Sequence, residues 1–281
     1  MKKSCHSEGR PLNPGLATTA RRPEESSLHG TRPGRGSDAT TEASARRTPS
    51  AAGSLRLAII IAVAIAIAVT TGAAGRTDPF VFATARYESG DWDSAPLVPT
   101  NIIHALAQYT AIPVAAQGVT VDLASPELFK FPFVFLTGHL PVRFSRQESD
   151  NLRAYVQRGG FVFIDDHNHD IDGAFHKTAT AEINRIFGPG SLKPIRNDHE
   201  IFRSFFVFEK GPPTTSHELN GWGDNLVHEN LFGVEVNGRL GLLYSNKDYA
   251  SEWSYHYQNK RFVSIDNTRF GVNVIVYALT R

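Results

Sequence analysis

Residues 161–170 read FVFIDDHNHD: four apolar side chains, Phe161 to Ile164, stand directly before six polar ones. Gly159 and Gly160 precede them. A short continuous apolar run bounded by glycines is the pattern of a strand buried on both faces, as in a parallel sheet covered by helices. The polar cluster then begins where the strand stops. In open α/β sheets the ligand crevice lies outside the carboxyl ends of the strands, so acids and histidines in that position are placed for binding or chemistry.

The flanking sequence supports the same architecture. Ser145 and Glu148 form an S-x-x-E capping box, Leu152, Tyr155 and Val156 make a buried helical stripe, and Gly159 supplies a left-handed stop. Strands are expected over 80–86, 113–121 and 131–136. A helix capped by Thr100 or Asn101 is expected to run to Tyr109, and a short helical turn opens at Ser125-Pro126-Glu127. After the acidic loop a helix over 179–187 ends at Gly188. Strand and helix alternating in this order argue for a doubly wound, mostly parallel sheet. Further on, Asn237-Gly238 between apolar residues signals a type I′ hairpin within 235–244. Residues 261–265 read as a late strand, 271–279 as a terminal helix with strand as the alternative because of its β-branched residues, and 211–232 as an irregular loop.

The N-terminal quarter is different in kind. Residues 1–54 are rich in Arg, Ser, Thr, Pro and Gly without apolar period, the composition of a disordered basic tail. The pairs Arg21-Arg22 and Arg46-Arg47 are not followed by an export motif. Residues 55–75 contain LAIIIAVAIAIAV (57–69), uncharged and apolar all round, long enough with their neighbours to be a transmembrane anchor or a signal segment. Either fate leaves the basic tail in the cytoplasm and places the domain at 76–281 outside it: a single-pass membrane protein, or one exported after signal cleavage.

Composition excludes several activities. Residues 1–56 carry 10 Lys and Arg against 5 Asp and Glu, whereas 76–281 carry 19 against 23. An acidic domain without a basic, aromatic-interleaved stripe is a poor match for nucleic acid, and none is expected as a partner. The only cysteine, Cys5, lies in the tail, which removes every thiol mechanism and every disulfide from the domain. There is no G-x-S-x-G elbow, no G-x-G-x-x-G, no P-loop and no H-E-x-x-H.

Six pieces in order, RYESGDW (86–92), FLTGH (135–139), YVQRGGFVFIDD (155–166), NDHEIF (197–202), YSNKD (244–248) and GVNVIVYAL (271–279), resemble the bacterial family called domain of unknown function 4159. The likeness covers about 80–281. The family is described as similar to class I glutamine amidotransferases and to ThuA-like proteins, which implies a flavodoxin-like sheet. Where that pattern often carries cysteines, this chain has His167 and Ser251, so no role that rests on a cysteine carries over.

The candidate site follows from the strand ends. Glu88, Asp91 and Trp92 come after the first strand, His139 after the third, and Asp165 and Asp166 at the end of the fourth; parallel strands would bring these loops to one rim. His167 and His169 project to the same side if the loop is extended, and with the neighbouring acids would suit a divalent metal. The plainer reading gives Asp165 or Asp166 the task of accepting backbone N–H groups to fix a turn. No organic cofactor is expected. The expected function is a membrane-tethered extracytoplasmic domain that binds a small polar ligand or an envelope protein without catalysis. The rival is a metal-dependent hydrolase of a carbohydrate or other polar substrate at the 165–170 loop.

Overall fold

The computed structural model describes residues 78–254 and 265–281. The tail at 1–54, the apolar segment at 55–75 and most of the expected late strand lie outside the described residues. Among those described, no helix is long and apolar enough to cross a membrane.

Among the described residues seven strands form one sheet: β1 (Ala83–Arg86), β2 (Val119–Asp122), β3 (Phe133–Gly138), β4 (Phe161–Asp166), β5 (Lys193–Pro194), β6 (Phe232–Val236) and β7 (Arg239–Ser245), in the order β2-β1-β3-β4-β7-β6-β5. The first five in that row are parallel, while β6 runs antiparallel to β7 and β5 antiparallel to β6. The parallel set follows the flavodoxin-like order, with β7 in the fifth place. The order reverses between β1 and β3, which makes the loops after these two strands the topological switch point.

The alternation of side chains along β4 assigns the layers. Phe161 and Phe163 pack on one face with α1 (Val98–Tyr109), α5 (Tyr249–Ser254) and α6 (Ile265–Thr280). Val162 and Ile164 pack on the other with α2 (Arg146–Gln157) and α3 (Ala174–Phe187). All four are essentially inaccessible, each side chain contributing about 1.5–3 kcal/mol of apolar burial. The same parity carries past Ile164: Asp165 belongs to the α5 face and Asp166 to the α3 face.

The local signals held where they were strong. The Ser145–Glu148 capping box is fully formed, and Gly159 has φ +102. The 237–238 turn has both residues at positive φ, as a type I′ hairpin requires. Boundaries moved elsewhere. The second strand covers only Val119–Asp122, because a bend at 116–117 separates it from Val114, which makes a lone bridge to Phe80. Helix α1 begins at Val98, with Pro99 in its first turn, and Asn101 is buried, its amide donating to the Trp253 carbonyl at 2.7 Å. Helix α3 begins at Ala174 behind Gly173, since Phe175 already reaches the core there. Ile265, expected to end a strand, opens α6. The stretch read as irregular contains α4 (Ser216–Asn220), held by a Thr215–Glu218 capping box.

Candidate functional site

The β3–β4 ladder pairs Thr137 with Asp165 and Gly138 with Asp166. One step beyond it, His139 and His167 stack with ring centroids 4.2 Å apart. Both lie on the α1/α5 side by strand parity, and His167 meets residues beside those helices: Nδ1 is 3.2 Å from Ser94 Oγ and Nε2 is 3.1 Å from Ser251 Oγ. His167 and Ser251 are therefore in contact.

Asp91, from the loop after β1, organises the outer half of this cluster. Its Oδ1 accepts the backbone N–H groups of His139 at 2.8 Å and Leu140 at 2.9 Å, and its Oδ2 lies 2.8 Å from His139 Nδ1. Burial raises the Asp91 pKa, but the Leu140 N–H, the His139 ring and the His139 N–H outweigh it, and the carboxyl ends below its ordinary value. Asp91 thus fixes one ring nitrogen of His139. The His139 side chain is 43% exposed. Gly138 makes the arrangement sterically feasible: a Cβ there would stand 2.5 Å from the Tyr87 hydroxyl and 2.9 Å from Asp91 Oδ1.

Beneath the two rings lies a buried layer of acids. Asp165 Oδ2 accepts the Ala250 N–H at 2.7 Å, and Asp248 Oδ1 accepts the Ser251 N–H at 2.9 Å, so two carboxyl groups cap the start of α5. Burial pushes Asp165 up to about 8 and Asp248 well above the ordinary carboxylate range; the Asp166 carboxylate adds to the rise at Asp165, and Asp165 to the rise at Asp248. Asp248 Oδ2 stands 3.0 Å from His217 Nε2, close but not aligned as a hydrogen bond. Burial lowers His167 and His217 to about 4 each, with neighbouring histidines adding to the effect, so both rings are neutral at ordinary pH. Asp166, raised to about 6 by burial, accepts the Asn168 N–H at 3.0 Å and closes the turn after β4.

The structure therefore sorts the sequence candidates. Asp91, His139 and His167 come together at the switch point. Asp165 and Asp166 are fully buried and engaged with backbone donors. Glu88 is exposed, and its backbone N–H donates to Glu148 at 2.8 Å. Trp92 is half-buried against the α2/α3 core. His167 and His169 do not share partners: His169 takes a left-handed backbone at φ +51, so the loop is not extended, and its ring turns to Asn246, Leu226 and Asp224. Sequence reasoning missed Ser94, His217 and Asp248. The signal for Asp248 was available, since a parallel β7 beside β4 must end at the same rim. A cavity of about 600 Å³ lies at the β5–β6 edge of the sheet, lined by Arg153, Phe187, Lys193, Arg196 and Val236 among others and by none of these groups.

No curated protein matches the chain. The family model described as Domain of unknown function (DUF4159) matches residues 81–279, and the chain belongs to that family.

Proposed function

We propose that this domain binds a small polar ligand at the switch-point rim without covalent catalysis, and that residues 55–75 tether it to the membrane with the domain outside the cytoplasm. The Asp91–His139 pair carries the reading. A carboxylate that fixes Nδ1 as the protonated nitrogen leaves Nε2 with a lone pair at a half-exposed edge, ready to accept from a ligand hydroxyl or amine. No thiol accompanies it: the one cysteine is in the tail. Ser251 has His167 as neighbour, yet the other nitrogen of His167 faces the Ser94 hydroxyl and not a carboxylate, so the ring lacks the orienting acid of a serine triad. The hydrolase reading at 165–170 draws less support, because Asp165 and Asp166 are buried beneath the rim and His167 and His169 turn to different partners.

The test is thermal-shift measurement of the full chain against neutral sugars, polyols and sugar acids, with His139→Ala and Asp91→Ala alongside. A compound that raises the wild-type midpoint and loses that effect in both variants supports the reading. An equal shift in all three proteins, or turnover of a compound that depends on His139, overturns it.

A further inference from the structure

Away from the stacked pair, the loop at 221–231 carries Trp222, Leu226 and Val227 about half exposed, and Leu231 alone reaches the core. The loop is clamped to the chain after β4. The Asp224 N–H donates to the His169 carbonyl at 2.9 Å, and a Cβ on Gly223, at φ +65, would stand 1.9 Å from that same oxygen. The clamp brings one nitrogen of His169, a carboxylate oxygen of Asp224 and one nitrogen of His228 within 4.8 Å of one another. His228 Nε2 is 2.9 Å from Asp224 Oδ2, and His169 Nε2 is 3.5 Å from Asp224 Oδ1.

The surroundings of His169 are anomalous for a ring in an apolar core. Nδ1 lies 2.7 Å from the Asn246 carbonyl, which fixes the proton on that nitrogen. Nε2 then presents its lone pair to the Leu226 carbonyl at 3.1 Å as well as to Asp224. Oxygens surround the ring at both nitrogens, and a positive species is needed at Nε2. A backbone carbonyl on the far nitrogen is the usual outer partner of a metal-bound imidazole. A second group points the same way. Asn246 is 1% exposed, its Oδ1 has no hydrogen-bond partner, and its Nδ2 lies 3.1 Å from His228 Nε2. Turning that amide over would bring the unpartnered oxygen to face the cluster.

We propose that His169, Asp224 and His228 form a site for a zinc-type divalent cation, with the Leu226 carbonyl or the Asn246 amide oxygen completing the set. Ligands about 2.0–2.1 Å from a tetrahedral zinc stand roughly 3.4 Å apart, and the 2.9 and 3.5 Å approaches of the two rings, one to each Asp224 oxygen, lie on either side of that value. Side-chain exposures of 0% for His169, 6% for Asp224 and 14% for His228 describe a nearly closed site. Closed sites are structural, so the ion pins the 221–231 loop to the ends of β4 and β7. This inference is independent of the ligand-binding reading, since it uses none of the residues around His139.

The test uses the full chain, stripped with EDTA and titrated with Zn²⁺ alone, with bound metal counted by mass spectrometry and the thermal midpoint followed. Wild type should take up one equivalent and gain midpoint. His228→Ala, at the open side of the site, and the near-isosteric Asp224→Asn should each weaken binding by more than about 100-fold, beyond what loss of an outer partner does. His167→Ala should bind as wild type, and all three variants keep Cys5, so a tail thiol cannot account for the difference. Substoichiometric zinc in wild type, no midpoint gain, or undiminished uptake by both His228→Ala and Asp224→Asn would overturn the site.

Discussion

Replacing Asp165 by Asn and by Ala should move stability in opposite directions at neutral pH. Asp165 Oδ2 accepts the Ala250 N–H at 2.7 Å in a fully buried setting. Alanine leaves that donor unpaired, at a cost of about 1–3 kcal/mol. Asparagine keeps an acceptor oxygen and removes the ionisable proton. Burial raises the Asp165 pKa from 3.8 to about 8, so the fold holds a proton that the unfolded chain releases. A raised folded pKa contributes stability that is fully present below about pH 4 and is lost as pH rises through about 8. The slope for one proton is about 1.4 kcal/mol per pH unit. Asp165→Asn should therefore gain on wild type progressively across that window. His167, lowered to about 4, gives the opposite trend as pH rises to its unfolded value, but it is common to both proteins and largely cancels in the difference. Urea unfolding of wild type and both variants at several pH values makes the measurement. A wild-type-to-Asn difference that does not change between about pH 4 and about pH 8, or an Asn variant as unstable as Ala, would refute the account of a buried, protonated helix cap.

Two further outcomes are expected. Lys247→Met should destabilise the chain by about 3–5 kcal/mol in chemical denaturation, because Glu218 then remains buried as an unpaired charge, and Glu218→Gln in the same chain should recover part of the loss; a neutral single variant would show that the pair contributes nothing. On cell fractionation the full chain should sediment with membranes, as the proposed tether at 55–75 requires; its recovery as a soluble cytoplasmic protein would remove that part of the proposed function.

What could be read from the sequence was what a few adjacent residues decide. Ser145 with Glu148, Asn237 with Gly238, and the apolar run before Asp165 each carry their own geometry, and together they yield a parallel α/β sheet with its rim after β4. Asp91 and His139 were legible as candidates because each follows a strand end, though not as a pair, since their contact depends on the β1–β3 register. That Asp165 or Asp166 accepts backbone N–H groups was legible, but the donor that Asp165 takes was not: Ala250 lies 85 residues away. Helix α4 was overlooked because five residues show no apolar period, although Thr215 and Glu218 spell the same capping box that identified α2. His169 and His167 were assigned one role on the assumption of an extended loop. A left-handed residue, held by a contact from Asp224, cannot be inferred from spacing.

The sheet ends in a strand of two residues, one charged and one without an amide hydrogen. Lys193 pairs with Gly233 and Pro194 with Phe232, so β5 covers part of the free margin of the five-residue β6. Both residues are exposed. A second molecule approaching this margin meets a backbone unable to donate at Pro194, beside a lysine that would need to be desolvated. The hydrogen-bonded ladder is thus terminated from within. Strand addition between molecules, the first step toward fibrous aggregates in crowded solution, is obstructed on this side by chemistry that requires no partner protein and no change of shape.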